Sequence, residues 1–226
     1  MAHLRFALCY ELALLITLWL SPEVSAVQPD VEKKPKTVAI LIFDGVELLD
    51  FAGPAEVFIV ANQQHPFRVF TVAPTTQLTS TMGGIKIKPD YSFNNAPPAD
   101  VLVIPGGNTR SVHANGVEWI RKSAGSAEVV MSVCFGAFLL AEAKLLDGVT
   151  ATTHQWAIAG LRTAAPKCKV VANRRFVDSG KIVTTGGVTA GIDGALHIVD
   201  RLAGANVAKW TAESWMEHRR QGAPGE

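Results

Sequence analysis

Five short runs of apolar, largely β-branched residues recur along the chain, separated by segments with helical spacing, and this alternation restricts the fold more than any other feature. The runs are TVAILIF (37–43), FRVFTVA (67–73), VLVI (101–104), EVVMSV (128–133) and KIVTT (181–185). Continuous apolar strands belong in a parallel sheet covered on both faces. Pro54 predicts the first turn of a helix ending near Asn62, and GVEWIRKSA (116–124) predicts another. Ile192, Leu196, Val199 and Ala203 repeat at helical spacing, as do Ala208, Ala212, Trp215 and Met216, so two amphipathic helices close the chain. The expected architecture is α/β: a doubly wound, mostly parallel sheet sandwiched by helices.

The N-terminal segment reads differently. Arg5 precedes the apolar run LALLITLWL (12–20), and SPEVSA ends on the small residues Ser25 and Ala26, the layout of a cleaved signal peptide over residues 1–26. A membrane anchor is the rival reading. A run of nine residues falls short of the roughly 20 that cross a bilayer. The polar, proline-containing VQPDVEKKPK (27–36) reads as a linker, and residues 37–226 as one domain. Export to the periplasm or outside the cell follows, with no membrane attachment after cleavage. The 21 basic and 20 acidic residues of the whole chain nearly balance, which gives no basic surface for nucleic acid. Once Cys9 leaves with the signal, Cys134 and Cys168 remain, too few for a disulfide framework.

In a sheet of this kind ligands bind beyond the carboxyl ends of the strands. Three exits carry chemistry. DGVELLDFAGP (44–54) follows the first strand with Asp44, Glu47 and Asp50; Pro105, Gly106 and Gly107 follow the third; Cys134 follows the fourth. Cys134 opens a strand-to-helix turn in which Gly136 and Ala137 permit a tight backbone, the setting of an exposed nucleophile. A helix N-terminus beside the thiol favours thiolate, so a depressed pKa is expected. The alternative is that Cys134 is a small core residue. Between Glu47 and Asp50 as the acid partner, the flanking Leu48 and Leu49 do not decide.

FDGVELLDFAGPAEVF, VLVIPGG, SVCFGAFLLAEAKLLDG, ATTHQWAI and GGVTAGIDGAL stand in the order seen in the ThiJ/PfpI superfamily, and the chain resembles that superfamily over about residues 37–203. The resemblance implies a flavodoxin-like, class I glutamine amidotransferase-like fold. It is strongest to the branch of isonitrile hydratase and the sensing domains of AraC-type regulators. It implies Cys134 as nucleophile and Asp50 as its acid, with backbone N–H groups near Gly106, Gly107 and Phe135 stabilising an anion and His154 lining the substrate pocket. Isonitrile hydration to an N-substituted formamide is the activity implied, by covalent catalysis with an acid/base helper. The hydratase carries threonine after its cysteine, where this chain has Phe135.

The other readings are narrower. GGVTAGIDGAL offers no histidine and glutamate for a glutaminase triad. Asp193 and His197 lie one helical turn apart, within pairing distance or on a solvated face. The six histidines include no H-E-x-x-H and the cysteines no C-x-x-C, so neither metal nor other cofactor is expected. A small-molecule substrate or ligand and a second copy of the chain, as a homodimer, are the expected partners. Three classes of function follow: a cysteine-dependent enzyme, a periplasmic small-molecule or redox sensor, and a binding fold stapled by a Cys134–Cys168 disulfide.

Overall fold

Residues 34–219 are described by the computed structural model of the chain. The expected signal segment (1–26) and most of the expected linker lie outside the described residues. The structured chain runs β1 (Lys36–Leu41), α1 (Leu48–Ala61), β2 (Phe67–Ala73), β3 (Thr79–Ser80), β4 (Lys86–Ile87), β5 (Tyr91–Ser92), β6 (Val101–Ile104) and α2 (Ala114–Ser126). It continues through β7 (Val129–Val133), α3 (Gly136–Glu142), β8 (Thr150–Ala151), α4 (Ile158–Ala164), β9 (Lys169–Val170), β10 (Phe176–Ser179), β11 (Ile182–Thr185), α5 (Ala190–Ala203) and α6 (Ala205–Lys209). All five expected strands are present, with ends shifted by no more than two residues. Lys36, assigned to the linker from sequence, belongs instead to β1, where its ammonium pairs with Glu128 at 2.6 Å.

Seven strands form the central sheet in the order β10-β11-β7-β6-β1-β2-β5. Every neighbouring pair is parallel except β10 with β11. The fold is the doubly wound, mostly parallel α/β sandwich expected from the alternation, with the flavodoxin-like strand order that the resemblance implies. From β1 the chain moves outward through β2 to β5, then returns across β1 to build β6, β7 and β11 on the other side. The connections therefore reverse direction between β1 and β6, and a crevice opens there at the carboxyl ends of the strands. Strands β6, β7 and β11 are buried at every position, as continuous apolar runs in a doubly covered sheet should be.

Two local expectations are corrected. Pro54 lies inside α1, which begins at Leu48 with Glu47 in extended conformation as its N-cap. Proline is usually a first-turn residue because it lacks an N–H. Here the packing of α1 on α5 overrides that preference: Gly191 of α5 faces the Pro54 ring, and Gly53 of α1 faces Ile192. The last amphipathic segment is a short α6 that continues as a π-helical turn over Trp210–Trp215, not one regular helix. No described helix is long and apolar enough to cross a membrane.

Candidate functional site

Cys134 takes up a left-handed backbone conformation, φ 57°, immediately after β7. Few non-glycine residues do so. Two hydrogen bonds fix the strained turn: the Cys134 N–H donates to the Gly186 carbonyl at 2.8 Å, and the Thr153 hydroxyl donates to the Cys134 carbonyl at 2.6 Å. Glycine at position 136 is obligatory, because a Cβ there would meet the Ile104 carbonyl oxygen of β6. The turn is thereby pressed against the neighbouring strand exit. Cys134 thus stands at the strand exit and is 5% exposed.

Asp50, on the first turn of α1, faces that thiol and is fully buried. Its Oδ2 accepts from the Gly106 N–H and its Oδ1 from the Val188 N–H, each at 3.0 Å. The thiol is its third partner. Burial pushes the Asp50 carboxyl up to about 6, while the two N–H donors act against the rise and the charge of Glu47 adds to it. Glu47 is half-buried at the rim and donates its backbone N–H to the Gly106 carbonyl at 3.0 Å. Of the two carboxylates left open by the sequence, Asp50 is the one bonded to the cysteine.

The expected depression of the thiol pKa is not found. Burial first, and then the charge of Asp50, push Cys134 up to about 12; the Phe135 N–H favours thiolate but is outweighed. Helix α3, with only seven residues, supplies too little compensation. At rest the site holds a neutral thiol beside a carboxyl group that titrates near neutrality. The thiol proton has the Asp50 carboxyl as its bonded neighbour.

The remaining expected residues lie around this pair. Gly106 stands at its centre: a Cβ there would come within 2.9 Å of Phe135 N, Asp50 Oδ2 and Cys134 Cβ. Its N–H is committed to Asp50, so it holds the acid and is not a donor to a developing anion. Gly107, φ 114°, is a turn packed on the Gly45 carbonyl. The Phe135 ring stacks on His154 at 6.0 Å and on Phe138 at 5.9 Å. His154 is half-buried, accepts from the Trp156 N–H at 3.3 Å through Nδ1, and borders a cavity of about 340 Å³ beside the cysteine turn. Cys134 and Cys168 are both free thiols, which removes the stapled reading.

Val188 escaped sequence reasoning. It is β-branched yet sits at φ 54°, a strained geometry that aims its N–H at Asp50. The pair of glycines before it in GGVTAG was the available signal. Asp193 and His197 do not pair. Asp193 is buried and bonds Arg175, whose Nε lies 2.8 Å away, and His218 at 2.9 Å, whereas His197 bonds Asp178 at 2.6 Å. Among the described residues no group of three or more His, Cys, Asp or Glu side chains could hold a metal ion.

A doubly wound sheet bearing a strained cysteine at one strand exit and a buried acid at another defines a class of protein. The DJ-1/PfpI family model matches residues 36–201, and the chain belongs to that family. It is similar to isonitrile hydratase from Pseudomonas putida, 34% identical over 176 residues that make up 76% of this chain and 74% of the hydratase. It is also similar to the HTH-type transcriptional regulator GbdR from Pseudomonas aeruginosa, 27% identical over 84% of this chain but 53% of the regulator, so the chain spans about half of that relative. A ThiJ/PfpI family protein from Pseudomonas syringae superposes with a TM-score of 0.75 at 25% identity, covering 88% of this chain and 82% of that one.

Proposed function

We propose that the protein is a cysteine-dependent enzyme acting on a small electrophile, with isonitrile hydration as its reaction. The observation that carries this reading is the Cys134–Asp50 pair: a thiol bonded to a buried carboxyl group that, among the described residues, no cation neutralises. The similarity to isonitrile hydratase supports it. As the Cys134 sulfur adds to the terminal isonitrile carbon, its proton moves to Asp50. Asp50 then protonates that carbon, leaving a thioformimidate, R–N=CH–S–Cys134. Water adds to the same carbon and the C–S bond breaks. One water proton ends on nitrogen and the other returns to sulfur, releasing R–NH–CHO. A carboxyl group near 6 suits both halves, since it accepts and returns a proton around neutrality.

A sensing role is the second reading. The regulator similarity favours it, and so does the elevated thiol, which resists adventitious chemistry until a ligand arrives. The homodimer remains part of the proposal, as does export after cleavage near Ala26, which N-terminal sequencing of the recovered protein would test. For the activity, the test is formamide production from methyl isocyanoacetate by the protein and by Cys134→Ser. The enzyme reading expects product from the first and none from the second. Absence of product from both overturns it and leaves the sensor.

A further inference from the structure

A cavity of about 340 Å³ adjoins the cysteine turn, and its lining carries an unspent positive charge. Its walls are Thr153, His154 and Gln155, then Asn173, Arg174 and Arg175, with Gly186, Gly187 and Ala190 completing the lining. Among the described residues no acidic side chain lines it. The two arginines differ. Arg175 is committed: its guanidinium bonds the buried Asp193 and the Thr189 hydroxyl. Arg174 is exposed, and among the described residues its guanidinium carries no hydrogen bond or ion pair. Beside it, Asn173 sits at φ 56°, a left-handed turn conformation that asparagine tolerates, where the chain crosses from β9 to β10.

The cavity and the reactive pair share a wall. Gly186 accepts the Cys134 N–H through its carbonyl, and Val188, two residues on, donates its N–H to Asp50. Thr153 lines the cavity and bonds the Cys134 carbonyl, while His154 lines it and stacks on Phe135. Cys134 and Asp50 themselves stand behind this wall and do not line the cavity. His154 packs directly on Gly187, so a molecule seated in the cavity lies against the same residues that hold the reactive pair.

We infer that this cavity binds a carboxylate, held by Arg174 with the amides of Asn173 and Gln155 as neutral donors. The fork of an arginine matches a planar carboxylate, and a lining without acids imposes no repulsion on it. Resting on the hydration reading, this names the substrate class: small electrophiles that carry a carboxylate, such as an isocyano acid in preference to its ester.

The test uses two probes that differ only at that group, isocyanoacetate and methyl isocyanoacetate. Binding of each is measured calorimetrically to the Cys134→Ser protein, which cannot turn over, and to the same protein carrying Arg174→Gln. The carboxylate binds about 10- to 100-fold more tightly than the ester, the range of a charge-assisted hydrogen bond, and Arg174→Gln removes the difference while leaving ester affinity unchanged. Equal affinities, no binding of the carboxylate, or a preference that survives Arg174→Gln overturns the assignment. Formamide production by the native chain is scored separately. Its absence with the binding preference intact breaks the hydration reading alone.

Discussion

Asp50 and Asp193 occupy the first turns of two helices, α1 and α5, that pack against each other, and both are buried almost completely. Their partners differ in kind. Asp193 is met by the Arg175 guanidinium and by His218 near the C-terminal end of the described chain. Asp50 is met by two backbone N–H groups and a thiol, and by no cation among the described residues. A buried carboxylate that meets a guanidinium is a structural tie, because removing either partner strands the other. A buried carboxylate given dipoles alone keeps a raised pKa and can exchange its proton. The contrast separates a charge-paired anchor from a carboxyl group free to exchange its proton, within one interface.

The largest test of this contrast is Asp50→Asn. The amide keeps the shape, but cannot take the thiol proton. Turnover of isonitrile to formamide should fall by a factor on the order of 100 to 10,000, the usual contribution of a positioned acid/base. Removing a desolvated charge favours the folded state at neutral pH, but the amide NH2 cannot accept from Gly106 or Val188, so one of the two backbone hydrogen bonds is lost. The rates are therefore compared on protein whose urea midpoint shows it folded. An unchanged rate would assign the proton to another group. The converse substitution, Asp193→Asn, should leave chemistry within a few-fold and lower unfolding stability by about 2–3 kcal/mol, read from urea midpoints. That figure is below the full value for a broken buried pair, because Arg175 and His218 retain 31% and 23% exposure.

A pH series sharpens the same comparison. Because the folded state holds the Asp50 proton more tightly than the unfolded chain, the folded state is favoured while Asp50 is protonated. Stability then declines as pH rises from the ordinary 3.8 to about 6. The decline is on the order of 3 kcal/mol relative to Asp50→Asn, which has nothing to titrate there. Asp100 and Asp178 behave oppositely. Hydrogen bonds from Thr37 to Asp100 and from His197 to Asp178 outweigh burial and hold both below 3.8, so their stabilisation is lost only in stronger acid. The two windows do not overlap. Parallel stability curves for the protein and Asp50→Asn between 3.8 and 6 would contradict the raised carboxyl.

What was legible in the sequence follows the range of each interaction. Local apolar runs located the strands, and the chemistry at strand exits brought Asp50, Gly106 and Cys134 to one rim, since a doubly wound sheet allows few other arrangements. Partners distant in sequence were not legible. Val188 reaches Asp50 from 138 positions away, and Arg175 meets Asp193 across 18. Asp193 did leave a trace, because it sits three residues before Leu196 and so on the buried side of its helix. The thiol pKa failed for a further reason. The helix terminus was visible along the chain, but the burial and the facing carboxylate that outweigh it are tertiary.

The smallest expected effect concerns Phe135, beside the proton that Asp50 handles. Isonitrile hydratase is expected to place a threonine hydroxyl here, whereas the ring stacks between Phe138 and His154 and can relay nothing. If the route from Asp50 to the adduct gains from a hydroxyl, Phe135→Thr should raise formamide production by up to about tenfold, within the one or two kcal/mol of a single hydrogen bond. The substitution also removes the two stacking contacts and opens the thiol to solvent, changes that Phe135→Ala makes equally. Chemistry is therefore read as the ratio of the threonine to the alanine variant in steady-state rate, and access as the ratio of alanine to the native chain. A threonine variant no faster than alanine would leave Asp50 sufficient by itself, since the proton it takes from the thiol would then reach the substrate carbon without an intermediary.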